Sequence, residues 1–438
     1  MTVAERRRRL AVRHGLARQA DDASHQRPAS SAAVARAMVA LHATDPATVY
    51  LSIRARTDPP TTAEAIENSL YERRELVRML AMRRTVFVVP AESVPIVQVS
   101  TSDRIGRDQR TRLLRLLADA DVAPRPEAWL ADVERSVLAA LAALGGTATA
   151  AELSAAEPRL KTTVLLAAGK SYQASQAITS RVLLVLAAQG EIVRGRPVGS
   201  WLSQQYRWSL AGQWLPSPNG ERMPDGTSGP VTPATPVTPA TPVTPATPVT
   251  PATPVTPATP VTAVGEQAAR AELARQWLTA FGPAPIADLK WWSGWTLTQV
   301  KKAIAECGAV EVEIAGTTGA VLPDDLAPTA EPAPWAALLP ALDPTVMGWQ
   351  DRSWFLDPHG PALFDTFGNA GPTIWLNGRV VGGWAQRSDG EIALRLFEDV
   401  GAEGRRMIDE EAGRLGAWLG EVRVTHRFRT PTERSLTA

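Results

Sequence analysis

Hydrophobic residues recur at helical spacing along most of the chain, interrupted by short stretches rich in β-branched residues. Val34, Met38 and Leu41 lie at i, i+4 and i+7, and they predict the buried stripe of a helix. The Asp45-Pro46 pair then predicts the start of a second helix, because aspartate is a favoured N-cap residue and proline suits the first helical position.

A third helix and a hairpin follow. Thr61 and Glu64 have the spacing of a capping box, which predicts the helix start. The segment LVRMLAMRRTVFVVP is apolar around the basic pair Arg83-Arg84 and predicts a β-hairpin. After a basic helix over residues 4–18, the predicted order is helix, helix, helix, hairpin. This order is typical of a winged helix-turn-helix motif.

The same order returns twice along the chain. In the second round, a capping box at Thr149 and Glu152 is followed by a helix over residues 178–189 and by two strands that flank GRPVGSWLSQ. In the third, a capping box at Thr296 and Gln299 leads into a helix, and the strand AVEVEI is followed by a turn at GTTG. We therefore predict tandem winged helix-turn-helix motifs.

From about Pro332 the pattern becomes mostly β. Asn377-Gly378 predicts a type I′ hairpin, and Asp389-Gly390 predicts another turn. One helix over residues 402–419 and a last strand, VRVTHRF, end the chain. The predicted fold class is α+β, with tandem winged helix-turn-helix motifs and a C-terminal β-barrel.

One segment predicts a linker rather than a folded core. The hexapeptide VTPATP occurs five times in succession from Val231 to Pro260, and its regular prolines favour an extended, semi-stiff chain. The predicted domains are therefore a first motif with its N-terminal helix (1–120), a second motif (121–228), a disordered linker (229–263), a third motif (264–325) and a β-barrel (326–438).

Composition narrows the classes of function. No apolar run reaches the length of a membrane span, and the basic N-terminus lacks the apolar region of a signal peptide. The single cysteine, Cys307, indicates a reducing compartment, and the five histidines show no metal-ligand spacing, so we expect no metal and no cofactor. The net charge of +1 does not by itself indicate DNA binding, but arginine, which binds phosphate well, greatly outnumbers lysine.

Four segments, ALHATDPATVYLSIRAR, MLAMRRTVFVVP, FGPAPIADLKWWSGWT and LLPALDPTVMGWQDRSWFL, resemble in order and spacing the AlkZ-like family of winged-helix DNA glycosylases. The resemblance implies a C-shaped protein that removes bulky or crosslinked N7-alkylated purines from double-stranded DNA without a cofactor. It also implies a monomer in the cytoplasm, associated with the nucleoid.

In that family a short motif of glutamine, an apolar residue and then glutamine or aspartate carries the chemistry. His42 and Thr44 occupy the two polar positions here, and Asp45 follows one residue later. The resemblance makes His42, Thr44 and Asp45 the catalytic candidates. Each also has a structural interpretation: Asp45 as an N-cap, His42 at a helix C-terminus and Thr44 as a turn residue.

Arginines on the predicted hairpins and helices are candidates for contacts with DNA phosphates, which give affinity without sequence choice. They are Arg78, Arg83, Arg84, Arg181, Arg194, Arg196 and Arg207. Each could instead be a solvated surface charge. We expect the cluster Trp291, Trp292 and Trp295 to pack in the core rather than to stack on bases.

Two hypotheses for function therefore stand beside each other. The first is a monofunctional glycosylase for alkylated purines, with His42 handling the water molecule. The second is a catalytically silent DNA-binding regulator or damage sensor, which the altered motif favours. A third possibility is an interaction scaffold that does not bind DNA.

Overall fold

A computed structural model describes residues 1–18, 27–166, 169, 173–215, 264–426 and 429–438. The predicted linker, residues 229–263, and the last two residues of the predicted final strand, 427–428, lie outside the described residues. None of the helices in the described ranges is long and apolar enough to cross a membrane.

The first repeat (residues 31–90) follows the N-terminal helix α1 (Val3–Arg13). Its elements are α2 (Ser31–Ala37), β1 (Leu41–His42), α3 (Pro46–Arg54), α4 (Ala63–Glu67), β2 (Leu76–Ala81) and β3 (Thr85–Pro90). The predicted hairpin with its break at Arg83-Arg84 is confirmed. The predicted capping box at Thr61 and Glu64 is wrong: Thr62 caps α4 by accepting from the amide of Ala65, which has no side chain that could complete a box. Leu41 is buried as expected, but it lies in β1 because α2 ends at Ala37.

The second repeat (residues 126–210) comes after two connecting helices. The elements here are α5 (Val94–Val97), α6 (Asp103–Asp119), α7 (Pro126–Ala143), β4 (Thr147–Thr149), α8 (Ala150–Ala156), β5 (Thr163–Leu166), β6 (Ala174–Ala177), α9 (Thr179–Ala188), β7 (Ile192–Pro197) and β8 (Tyr206–Leu210). The capping box at Thr149 and Glu152 is confirmed at the start of α8.

The third repeat (residues 266–321) follows the short helix α10 (Ala211–Trp214). It consists of α11 (Glu266–Phe281), α12 (Ile286–Ser293), α13 (Leu297–Glu306), β9 (Val310–Ile314) and β10 (Thr317–Val321). The capping box at Thr296 and Gln299 is confirmed. The turn between the strands falls at Ala315-Gly316 rather than at the predicted GTTG, since Ile314 pairs with Thr317.

The three repeats share one connection pattern. In each, a helix, a short extended stretch and two helices precede a hairpin, and the short stretch pairs antiparallel with the second hairpin strand. β1 pairs with β3 and β4 with β8, while in the third repeat the pairing is reduced to one bridge between Ala284 and Ala320. Only the second repeat adds an extra hairpin, β5–β6, before its last helix.

The C-terminal region (residues 336–436) contains a four-stranded antiparallel sheet. Its elements are β11 (Ala336–Leu339), α14 (Pro344–Met347), α15 (Ser353–Leu356), α16 (Gly360–Leu363), β12 (Thr373–Leu376), β13 (Arg379–Gln386), β14 (Ile392–Leu396), α17 (Gly401–Leu419) and α18 (Pro431–Leu436). The hairpin turn at Asn377-Gly378 is confirmed, and both residues have positive φ, 48° and 83°.

The predicted β-barrel is wrong. Within the described residues the strand order is β11-β12-β13-β14, so the two outer strands do not pair and the sheet stays open. Helix α17 packs on the sheet through Ile408, Leu415 and Leu419, so the apolar residues of the sheet are buried without closure into a barrel. The final strand is also wrong, since residues 422–426 form no strand. The α+β class itself is confirmed.

The two largest apolar cores lie in different parts of the molecule, and smaller apolar clusters lie between the first and second repeats. One core runs through α1, the first and third repeats and the C-terminal region, and it includes Met38, Trp277 and Trp375. The other lies within the second repeat and α6, around Val133 and Leu186. The second repeat is therefore a body with its own core, placed against the rest of the chain.

Candidate active site and nucleic-acid interface

His42 is fixed inside the first repeat. Its backbone pairs with Phe87 of β3, and the two rings lie 5.1 Å apart. The side chain is only 4% exposed. Burial, with a smaller contribution from the nearby Arg83 guanidinium, lowers the pKa of His42 to about 3. The imidazole is therefore neutral at pH 7, and the interpretation of His42 as a helix C-terminal residue is wrong because it lies in β1.

Asp45 caps helix α3, as its position before proline predicts. Its Oδ1 accepts a hydrogen bond of 3.0 Å from the Ala47 amide, and Asp45 is partly exposed. Thr44 between them is exposed, and its amide lies 3.5 Å from Nδ1 of His42. The three catalytic candidates thus lie on one turn that joins β1 to α3.

A cleft of about 720 Å³ opens between this turn and the second repeat. Ala43 and Thr44 form one wall, and the start of α9 with strands β7 and β8 forms the other. Aromatic, amide and hydroxyl groups and one arginine line the second wall: Thr149, Gln176, Thr179, Ser180, Arg194, Gln204, Gln205, Tyr206 and Trp208. None of the described residues that line the cleft carries a carboxylate. Thr44 is the predicted catalytic residue that faces this cleft.

Arg78 is placed differently from the expectation. It lies on β2, is 3% exposed, and donates a 2.8 Å hydrogen bond from Nη1 to the Tyr206 hydroxyl. Its guanidinium also lies over the Tyr206 ring, 4.8 Å from the ring centre. A side chain so enclosed is not positioned to reach a phosphate, so its predicted role on the DNA surface needs correction. Nothing in its own strand could have indicated this, because the partner is 128 residues away.

Arg83 and Arg84 lie at the tip of the β2–β3 hairpin with positive φ. Arg83 stacks on Trp291 at 3.8 Å, and burial lowers its pKa to about 10. Arg84 is exposed and has no ion-pair partner among the described residues. Trp292 and Trp295 are buried, which confirms core packing for these two tryptophans.

The arginines of the second repeat divide into two groups. Arg196 binds Glu67 and Glu72 of the first repeat, at 3.2 and 2.6 Å, so it holds the two repeats together. Arg207 pairs with Glu152 at 3.3 Å. Arg181 of α9 and Arg194 of β7 have no carboxylate partner within the described ranges, and Arg194 lines the cleft.

Additional unpaired cations were not predicted. They lie on α6, α12 and α13, they are exposed, and within the described residues their side chains have no ion pair: Arg107, Arg112, Arg115, Lys290, Lys301 and Lys302. We call Arg84 and these six residues the basic surface. Arg104 joins its parts by donating from α6 to the carbonyl of Gly294, at 3.3 Å. The helical spacing of arginines in DRIGRDQRTRLLRLLAD was a usable signal that our sequence reasoning missed.

Comparison with known proteins identifies the family. The family model described as "DNA glycosylase AlkZ-like" matches residues 35–418. The chain belongs to the AlkZ-like DNA glycosylase family. A search of curated protein sequences finds no match. Among solved structures, this AlkZ-like protein is similar to Streptomyces sahachiroi DNA glycosylase AlkZ, with a TM-score of 0.65 and 18% identity over 98% of this chain and 99% of the other.

That structural similarity shows a shared fold. The resemblance of the four sequence segments to the AlkZ-like family is confirmed by the family match. Within the described residues, no group of three histidine, cysteine or acidic side chains is placed to hold a metal ion.

Proposed function

We propose that this AlkZ-like protein is a monofunctional DNA glycosylase that removes N7-alkylated or bulky purines from double-stranded DNA. In this proposal the three repeats are winged-helix motifs, and the protein acts as a monomer on nucleoid DNA. One observation carries the proposal beyond family membership: Thr44, at the motif position, faces the cleft between the first and second repeats.

The chemistry suits a site without a strong acid. An N7-alkylated purine already carries positive charge, so it leaves without being protonated. The electron pair of the glycosidic bond leaves with the purine, so the enzyme has to stabilise the cationic sugar and orient a water molecule at its anomeric carbon. The proton released when this water adds passes to the Asp45 carboxylate or to solvent. The Thr44 hydroxyl orients the water, and the Asp45 carboxylate, which uses Oδ1 for its cap, supplies negative charge nearby.

His42 has a supporting role in this scheme. A neutral imidazole with a pKa of about 3 is too weak a base to deprotonate water at pH 7. It can accept a hydrogen bond, and its Nδ1 lies beside the Thr44 amide. We therefore assign His42 to holding the 43–45 turn in place, with Thr44 and Asp45 nearest to the reaction.

Contacts with the DNA backbone belong to exposed or partly exposed cations. From the predicted set we retain Arg83, Arg84, Arg181, Arg194 and Arg207, and we add the basic surface. Several phosphate contacts of this kind give affinity that falls steeply with salt concentration.

The alternative is a catalytically silent DNA-binding regulator or damage sensor. The observation that favours it is the burial of His42, which withdraws one of the two motif side chains from solvent. Both functions require DNA binding, so they differ only in whether the glycosidic bond breaks.

A duplex that carries N7-methylguanine, incubated with the protein and then heated in base, separates the two functions. We expect strand cleavage at the lesion, reduced about 10²-fold or more in Thr44→Ala and Asp45→Asn because each removes a group that acts in the transition state. His42→Ala should also lose activity, since the 43–45 turn is no longer held. The surface variant Arg405→Gln on α17 is the control and should cleave like the wild type.

DNA affinity, measured on the same variants, is expected to stay within a few-fold of the wild type. Tight and salt-dependent binding without any cleavage would favour the silent regulator and contradict the glycosylase. Absence of salt-dependent binding would favour the scaffold that does not bind DNA.

A further inference from the structure

Two guanidinium groups meet on one tyrosine at the wall of the cleft. Arg78 and Arg194 lie over the Tyr206 ring, with their central carbons 4.8 and 5.9 Å from the ring centre. Arg194 also lies 5.2 Å from the centre of the Trp208 ring. The two cations are close enough for the charge of Arg78 to lower the pKa of Arg194, in addition to the larger effect of burial.

No carboxylate compensates these charges. Within the described residues, the groups that influence either guanidinium are tyrosines and the other arginine. Every other arginine that is buried as deeply in the first repeat has an acidic partner, as in the pairs Arg54–Glu411 and Arg56–Asp343. Arg78 is buried and Arg194 is partly exposed, so placing their two positive charges against one ring is unfavourable unless a counter-charge offsets them. The missing anion is therefore expected to come from a ligand.

The start of helix α9 faces the same space. Thr179 and Ser180 line the cleft, and Ile178 at the N-cap position provides no side-chain hydrogen bond. The first amides of a helix without a cap attract anions through their free N–H groups and the helix dipole. Arginine and helix thus approach the cleft from two different elements of the second repeat.

From these contacts we propose that the cleft binds one phosphate group of the DNA backbone, between Arg194 and the N-terminus of α9. Thr44 forms the opposite wall, so this phosphate would hold a neighbouring nucleotide against the catalytic turn. The proposal rests on the proposed function for its ligand, since it takes the phosphate from DNA. Arg78 is a positioning residue that holds the Tyr206 hydroxyl, and it does not touch the phosphate.

The salt dependence of DNA binding tests the role of Arg194. For Arg194→Gln we expect the slope of log affinity against log salt to fall by about one, the effect of losing one phosphate contact. Affinity at fixed salt should fall on the order of tenfold. Arg405→Gln is the control for removal of an arginine charge. An unchanged slope for Arg194→Gln would overturn the proposal.

Ser180→Asp separates binding from folding. A carboxylate at the start of α9 stabilises the helix, so the melting temperature should stay equal or rise. The same carboxylate repels a phosphate, so DNA affinity should fall. Wild-type DNA affinity in Ser180→Asp would contradict a phosphate at this helix.

Duplexes with single neutral methylphosphonate linkages locate the contact. One linkage near the lesion should weaken the wild type but have no further effect on Arg194→Gln. If every linkage weakens both proteins equally, Arg194 binds no phosphate.

Inorganic phosphate added at constant ionic strength tests whether the site binds free phosphate instead. Tight binding of inorganic phosphate that DNA does not displace would exclude the DNA backbone as the ligand. DNA binding with the expected salt slope but without excision would contradict the proposed glycosylase activity and would still support the phosphate site.

Discussion

Buried polar side chains form a chain of hydrogen bonds that joins four parts of the structure: the segment after α3, the start of α14, the end of α1 and the end of α11. Arg56, after α3, binds both carboxylate oxygens of Asp343 at 2.7 and 2.9 Å and donates to the Thr345 hydroxyl at 2.7 Å. That hydroxyl contacts Nδ1 of His14 at 2.9 Å, and Nε2 of His14 lies 3.2 Å from the Ala280 carbonyl. Because Nε2 must donate to a carbonyl, Nδ1 is the acceptor, which is consistent with a pKa of His14 lowered to about 3, chiefly by burial.

Removing one partner of this pair should be expensive. Arg56 and Asp343 are both fully buried, so Arg56→Met leaves a carboxylate without its counter-charge. We expect a loss of about 3–5 kcal/mol in the free energy of unfolding, measured by denaturant titration. The control, Arg36→Met, breaks the exposed pair with Glu92 and should cost about 0–1 kcal/mol. Equal losses in both variants would show that burial of the pair does not matter.

Single residues differ in how far their sequence context predicts them. The cap formed by Asp45 depends on its own backbone and on the next two residues, so the sequence was sufficient. The environment of Arg78 depends on Tyr206, which tertiary packing alone brings near. A pattern read within one hairpin therefore predicted a surface cation where the fold buries it.

At the scale of elements, the capping boxes were the most informative local signals. The box at Thr296 satisfies two backbone amides at the start of α13, with bonds of 2.9 and 3.3 Å. Its residues are only three positions apart, so no distant contact was needed to predict it.

Thr296→Ala tests this cap. We expect a loss of about 1 kcal/mol of stability, because the Gln299 amide at the start of the helix loses its acceptor. Thr298→Ala, the same change two residues later at an exposed helical position, should be neutral or slightly stabilising because alanine has the higher helix propensity. Thermal unfolding of both variants gives the comparison, and equal melting temperatures would argue against the cap.

The open sheet shows where local signals end. Asn377-Gly378 and Asp389-Gly390 predicted turns that the structure contains, because a turn depends on its own residues. Whether the outer strands then meet depends on sheet curvature and on what covers the faces. Here α17 covers the sheet, and no residue within β11 or β14 indicated this.

At the scale of the whole molecule, the loop between β7 and β8 packs against α3 of the first repeat and α17 of the C-terminal region. Trp201 in this loop stacks on Tyr50 of α3 at 4.5 Å and meets the edge of Trp418 of α17 at 6.1 Å. Arg196 adds its two ion pairs to the first repeat. This loop, which follows the predicted DNA contact Arg196, therefore joins the second repeat to helices of the first repeat and the C-terminal region, and Gln204 and Gln205 within it form part of the cleft wall.

This arrangement predicts that Trp201 controls the position of the second repeat rather than its stability. Aromatic pairs contribute about 0.5–1.5 kcal/mol each, so losing two should raise the undocked population on the order of tenfold or more. In Trp201→Ala we expect faster hydrogen exchange in α3 and α17 but unchanged exchange in α7, which packs only within the core of the second repeat and α6. Excision should fall because Thr44 and Arg194 lie on opposite sides of the loosened boundary. Ser200→Ala, an exposed change in the same loop, should alter neither property, and faster exchange in α7 of Trp201→Ala would show that the loop stabilises the repeat itself.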